Sequence, residues 1–329
     1  MLYLNKKDLK EIGIVWQELV GVIKKSVQIL QEQDFAQPIK PYLRYHDIKN
    51  RIIAMPAFIG GEINFAGIKW IASFPGNFKL DIPRAHSITI LNEANTGRPI
   101  CTINTTLISG LRTAAVSGLI LNEFLSIKRS NHLQFTLSIV GLGPIGKLHL
   151  EMASTLLSGK LKAIKLHDVD SEAFNALSDL DFYHDIKDKL IFCKTWEEAY
   201  DDADIFITCT VSNQTYINKE PKKGSLHLNV SLRDYMPEFI HYANHIIVDN
   251  WEEVCRENTD IENMHKKYAL AKEDTSSIID VVCNHVSHSW KESDIVMFNP
   301  MGMAVFDIAI GGLFYNKAIK QGKGQMLEA

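Results

Sequence analysis

The sequence predicts an α/β protein in which a doubly wound parallel sheet is joined to an α+β domain. Three observations carry this. From Phe135 onward, short continuous apolar runs alternate with polar helical segments, the pattern of a parallel sheet covered on both faces. The first run ends in Gly141-Leu142-Gly143-Pro144-Ile145-Gly146 and opens a helix, the arrangement of a Rossmann turn. Ahead of it, a helical pattern precedes strand-like stretches separated by Gly, Pro and Asn signals.

Taken in order, Asp8 followed by Glu11 reads as a helix start. Leu9, Ile12, Trp16, Leu19, Ile23, Val27 and Leu30 then recur at helical spacing. The stretches RIIAMPAF, INFAGIKWIASF and HSITILNE read as strands of a mostly antiparallel sheet. A helix is expected over about residues Leu107 to Leu125. The runs FTLSIVG, AIKLHDV, DIFITCTV, SLHLNVS, HIIVDN and DIVMFNP follow as buried strands. The closing helix, Met303 to Gln321, is expected to return to the first domain. The expected division is therefore 1–115 completed by 303–329, a substrate-binding and dimerisation domain, with 116–302 as the Rossmann domain.

The chain has 329 residues, 46% hydrophobic and 22% charged, enough for two domains with sizeable cores. A net charge of −4 argues against nucleic-acid and basic membrane-surface partners. No uncharged apolar stretch approaches the roughly 20 residues that span a bilayer. The N-terminal residues lack the apolar core of a secretory signal, so the chain reads as cytoplasmic. Five scattered cysteines, none spaced CxxC, read as reduced thiols. Cys283, His285 and His288 lie close together without a distant fourth ligand, so no metal site is expected.

The glycine turn has a specific chemistry. Gly141 permits the tight turn, Gly143 the approach of a pyrophosphate, and Gly146 close packing of helix on sheet. Free N–H groups at the helix start favour the anion. Asp168 ends the second strand, where an acidic residue accepts hydrogen bonds from the adenosine ribose. Its charge would oppose a 2′-phosphate by ~4 kcal/mol at about 4 Å and an effective dielectric near 20, so NAD is expected over NADP.

Arg112 is the only charged residue in LISGLRTAAVSGLIL. Arginine keeps its proton even when buried, so an anion must meet it, either an acid of the chain or a ligand. Lys69 lies in a strand with two apolar faces, sharing one with Phe65, Gly67 and Ile71. Burial there would lower its basicity and free it for acid–base work. Asp234 follows the strand SLHLNVS, at the sheet end where doubly wound proteins bind ligands. With Arg44, these residues suit an amino-acid-like ligand with carboxylates and a basic nitrogen, held against a nicotinamide. Hydride chemistry at a C–N bond needs those elements.

The same residues carry a resemblance. The spacing from Arg44 to Met55-Pro56, GIK ending at Lys69, LRTAAVS around Arg112, the glycine turn, Asp234 and NPMGMAVFD ending at Asp307 are similar to the ornithine cyclodeaminase/mu-crystallin family. QPIKPYLR, GIKWI and NPMGMA are most similar to a branch that makes 2,3-diaminopropionate for a siderophore. That branch oxidises N-(2-amino-2-carboxyethyl)-L-glutamate with NAD and hydrolyses the product. The resemblance implies a homodimer, and a pathway partner that is a pyridoxal-phosphate-dependent synthase. It implies that Arg44, Lys69, Arg112, Asp234 and Met301 bind substrate, with Lys69 and Asp234 as the acid–base groups. It further implies NAD contacts from Arg84, Arg112, Thr113, Gly141, Gly143, Pro144, Ile145, Gly146, Asp168, Thr210, Val211, Leu228, Asn229, Val230, Ser231 and Pro300. Glu238 stands where cyclodeaminases carry Lys, and the segment from Asp274 to Ser293 lacks their PGR-type turn. Ornithine cyclodeamination, ketimine reduction and nucleotide-bound ligand carriage are the competing readings.

Overall fold

A computed structural model describes residues 1–128 and 134–328. It divides into two compact units, Met1–Arg112 with Gly302–Ala329, and Thr113–Met301. The divisions fall after Arg112 and Met301, each slightly earlier in the chain than the expected 115 and 302.

In the first unit, β1 (Leu2–Asn5) leads into α1 (Lys6–Ile12) and α2 (Trp16–Gln31). The single helix expected from Asp8 is therefore two helices with an earlier start. Asn5 is the N-cap, accepting from the Lys7 and Asp8 amides, while Asp8 accepts from the Asn5 amide. This reciprocal pair satisfies donors that a helix start leaves free. Gly13, at φ 95°, ends α1 in a conformation that β-carbons disfavour.

Two short strands, β2 (Phe35–Ala36) and β3 (Tyr42–Leu43), precede β4 (Arg51–Ile59), β5 (Phe65–Ser73), β6 (Ala85–Glu93) and β7 (Pro99–Asn104). The sheet order is Gln325–Met326, β1, β7, β6, β5, β4, β2, with β3 also on β4. β4 to β7 are antiparallel, whereas β1 lies parallel to β7. The C-terminal helix, Ala304–Gln321, belongs to this unit and packs on β4, β5 and β6. Glycines allow the close approach. A β-carbon at Gly67 would lie 2.2 Å from the Ile90 carbonyl oxygen of β6 as well as 2.9 Å from Ile308 Cδ1, and one at Gly312 would lie 2.5 Å from the Phe65 ring.

The second unit holds β8 (Phe135–Val140), β9 (Leu161–His167), β10 (Leu190–Phe192), β11 (Ile205–Thr208), β12 (Leu226–Asn229), β13 (His245–Val248), β14 (Ser276–Ser277) and β15 (Val296–Asn299). Their order is β10-β9-β8-β11-β12-β15-β13-β14, and every pairing is parallel. The chain leaves β8 toward β9 and β10, then crosses back to β11, so the order reverses between β8 and β11. That crevice is where doubly wound sheets bind ligands. Helix α3 (Leu107–Ser126) carries Arg112, and α4 (Pro144–Leu156) follows the glycine turn. Among the described residues, no helix is long and apolar enough to cross a membrane.

Candidate active site

The glycine turn of the second unit leaves room where a dinucleotide would need it. Gly141 has φ +94°, and a β-carbon there would stand 2.6 Å from the Cys209 carbonyl oxygen. A β-carbon on Gly146 would stand 1.9 Å from the Gly141 carbonyl oxygen, so α4 could not approach β8 as it does. Gly143 is different: it is exposed, and a β-carbon would meet nothing within 4 Å. It is also the N-cap of α4 and offers no side-chain cap. The helix start, with Pro144 and Ile145, thus presents amides suited to an anion. Asp168 closes the turn by accepting from the Leu142 amide at 2.6 Å and the Asp170 amide at 2.9 Å.

Sequence reasoning missed His149 beneath this turn. Its ring bonds the Ile145 carbonyl at 2.8 Å and Ser117 Oγ of α3 at 2.9 Å. Burial pulls its pKa down to about 4, with the Ile145 hydrogen bond opposing. A neutral imidazole therefore ties the first turn of α4 to α3.

In the first unit, Lys69 is 1% exposed and donates to Asp307 Oδ2 at 2.9 Å and Ser109 Oγ at 3.2 Å. Burial draws its pKa down to about 7; the Asp307 charge resists this and the Arg112 charge adds to it. Of the two anions the sequence allows for Arg112, the chain supplies one: Asp307, whose Oδ1 accepts from Arg112 Nε at 3.1 Å. The two residues lie far apart in sequence, which hides their pairing from any local pattern. One available signal was that Asp307 is the lone acid of the apolar run MAVFDIAIGGLF. Two buried cations thus share one fully buried carboxylate.

Gly302 completes the cluster. Its φ is +88°, and a β-carbon would lie 2.4 Å from Arg112 Nη1. Its carbonyl accepts from buried Lys40 at 2.8 Å, while Gln37 accepts from the Val305 amide at 3.0 Å. The QPIKPYLR segment therefore fastens the start of the C-terminal helix. Arg44 is exposed, with its guanidinium 4.8 Å from the Tyr42 ring centroid. Arg84 is also exposed, and Thr113 is half-buried on α3.

Asp234 is fully buried in the second unit, where Thr210 and Ser231 hydroxyls donate to its two oxygens. The loop carrying it hangs on Asp260, another residue that sequence reasoning missed. Asp260 Oδ2 accepts from the Asp234 and Tyr235 amides, each at 3.1 Å, and from Asn229 Nδ2 at 2.9 Å. Burial pushes the Asp260 pKa up to about 7, against those hydrogen bonds. Asn229 also donates to Asn299, so its side chain is occupied by this buried hub. Leu228 and Pro300 are buried beside it in sequence, Val230 is half-buried, and Val211 is 71% exposed. Met301 donates its amide to Asp249 at 2.9 Å, and Glu238 pairs with Lys267. Among the described residues, no group of three or more His, Cys, Asp or Glu is arranged to hold a metal.

The model of the ornithine cyclodeaminase/mu-crystallin family matches residues 4–322. The chain belongs to this family. Within it, an N-((2S)-2-amino-2-carboxyethyl)-L-glutamate dehydrogenase of Staphylococcus aureus is 32% identical over 99% of this chain and 98% of that enzyme. The fold matches a Thermococcus litoralis Δ1-pyrroline-2-carboxylate reductase, solved with NADH and L-proline. That match has a TM-score of 0.88 at 19% identity, covering 99% of this chain and all of the other. It also matches an archaeal alanine dehydrogenase dimer with bound NAD, at TM-score 0.84 and 23% identity, covering 100% and 99% of the chains.

Proposed function

We propose that the protein is an NAD-dependent oxidoreductase of a CH–NH bond, converting N-(2-amino-2-carboxyethyl)-L-glutamate to L-2,3-diaminopropionate and 2-oxoglutarate. The observation that carries this reading is the sharing of Asp307 by Lys69 and Arg112. One carboxylate against two cations leaves a place for a substrate carboxylate, and Lys69 is poised to exchange a proton near neutral pH. The full-length similarity to the staphylococcal dehydrogenase supports the substrate.

The turn from Gly141 to Gly146 would hold the NAD pyrophosphate, in keeping with the open space at Gly143 and the amides at the start of α4, and Asp168 would hold the adenosine ribose. Bound NAD⁺ supplies the acceptor for the hydride from the glutamyl Cα. Arg112 and Arg44 hold substrate carboxylates, with Met301 against the substrate. Lys69 takes the proton of the secondary amine as the C–N bond becomes a ketimine. Asp234, oriented by Thr210 and Ser231, directs water onto the imine carbon. Collapse then breaks that C–N bond, with the amine nitrogen taking up a proton as it leaves. Two electrons leave the substrate, and one water enters the products.

The same reading expects a cytoplasmic homodimer, a pyridoxal-phosphate-dependent synthase upstream, and a siderophore or related metabolite downstream. The test is absorbance of NADH with purified protein. Growth of the signal with N-(2-amino-2-carboxyethyl)-L-glutamate, lost in Lys69→Ala and Asp234→Asn, is expected. Full turnover in both variants would overturn the assignment.

A further inference from the structure

We propose that Ser87 and Thr89 form a hydroxyl subsite for the distal carboxylate of a dicarboxylic, amino-acid-derived substrate. This deepens the proposed function and rests on Lys69 and Arg112 binding that substrate. On β6, Ser87, Thr89 and Leu91 alternate onto the inner face. Thr89 stands opposite Lys69 on β5 and Ile103 on β7, and Ser87 stands opposite Ile71. Thr89 is fully buried and Ser87 is 8% exposed, yet neither hydroxyl has a hydrogen-bond partner.

Packing alone does not account for these hydroxyls. Ile71, Leu91 and Ile103 around them are apolar, and valine has the shape of threonine without a polar atom to desolvate. Both hydroxyls sit on the face that Lys69 occupies. Directly opposed residues of antiparallel strands have β-carbons about 4.5–5.5 Å apart, so Thr89 lies within one functional group's width of Lys69. The C-terminal helix runs opposite to β5, with Asp307 at Lys69, Ile308 at Gly67 and Gly312 at Phe65. Its first turn, where Gln37 accepts from the Val305 amide, therefore lies toward Ile71 and Ser87.

The charges select the ligand. Beside Lys69 and Arg112, an ammonium-ended chain meets like charge, and a methyl-ended chain leaves both hydroxyls unpaired. A carboxylate accepts from both hydroxyls and adds the anion that two cations on one aspartate lack.

Binding separates these cases without turnover. With NAD⁺ present, calorimetric titration compares 2-oxoglutarate with 2-oxovalerate, which carries a methyl in place of the distal carboxylate. The native protein should prefer 2-oxoglutarate. Thr89→Val and Ser87→Ala should each weaken 2-oxoglutarate by about tenfold or more and leave 2-oxovalerate unchanged. Thr89→Ser should retain 2-oxoglutarate binding, and Thr89→Val should not melt earlier than the native protein. Equal weakening of both acids, no change in either, or no native preference would overturn the subsite. Absence of NADH formation alongside selective loss of 2-oxoglutarate would instead sink the proposed reaction and leave the subsite standing.

Discussion

Lys69 and Asp260 both titrate near pH 7, for opposite reasons. Burial lowers Lys69 from 10.5 and raises Asp260 from 3.8, each to about 7. If Lys69 accepts the amine proton, kcat/KM should rise as pH passes through about 7 and then level. Replacing it with alanine should cost about 10²-fold or more. A rate–pH profile measures this; a flat native profile would contradict the role. Stability gives a second check. The folded Asp260 pKa is raised, so its contribution is full below about 4 and lost as pH rises through about 7. The stability advantage of the native protein over Asp260→Asn should therefore shrink between pH 5 and 9 in urea unfolding. An advantage that grows or stays constant would refute it. Lys69, Arg112 and Asp234 were legible because each is a charge in an apolar or loop context. Asp260 was not, and Asp307 stood out only as the end of the NPMGMAVFD motif, since the partners of both lie far away in the sequence.

Among elements, the glycine turn was the most legible, because its requirement is local: a strand, a tight turn and a helix in one short stretch. Asp168→Ser should shift cofactor preference toward NADP, lowering the NAD:NADP ratio of kcat/KM by about 10²–10³. An unchanged ratio would place the ribose elsewhere. Gly302 is less obvious in sequence, since its need arises from Arg112. Gly302→Ala forces a β-carbon against the guanidinium at a positive φ, a strain of about 1–3 kcal/mol before Arg112 moves. Thermal unfolding should fall and KM rise; normal values for both would mean the cluster tolerates displacement. Short elements were the hardest to read. β1, β10 and β14 have four, three and two residues, too few for periodicity to register. Their pairing is decided by neighbouring strands.

For the whole molecule, alternating apolar runs were enough to predict a parallel doubly wound sheet, because burial on both faces imposes that composition. The antiparallel sheet of the first unit is more revealing on its outer face. Ile68, Ile88 and Ile90 there are half-buried and Trp70 is 40% exposed. In the proposed homodimer a second copy covers this face, so Trp70→Glu should convert a dimer to a monomer in light scattering. A native monomer would contradict that expectation. Net oxidation of a secondary amine followed by hydrolysis is tested most directly by the product ratio from N-(2-amino-2-carboxyethyl)-L-glutamate and NAD⁺. NADH, 2-oxoglutarate and 2,3-diaminopropionate should form in equal amounts. Inertness toward this substrate, with proline and ammonia formed from ornithine without NADH, would contradict it.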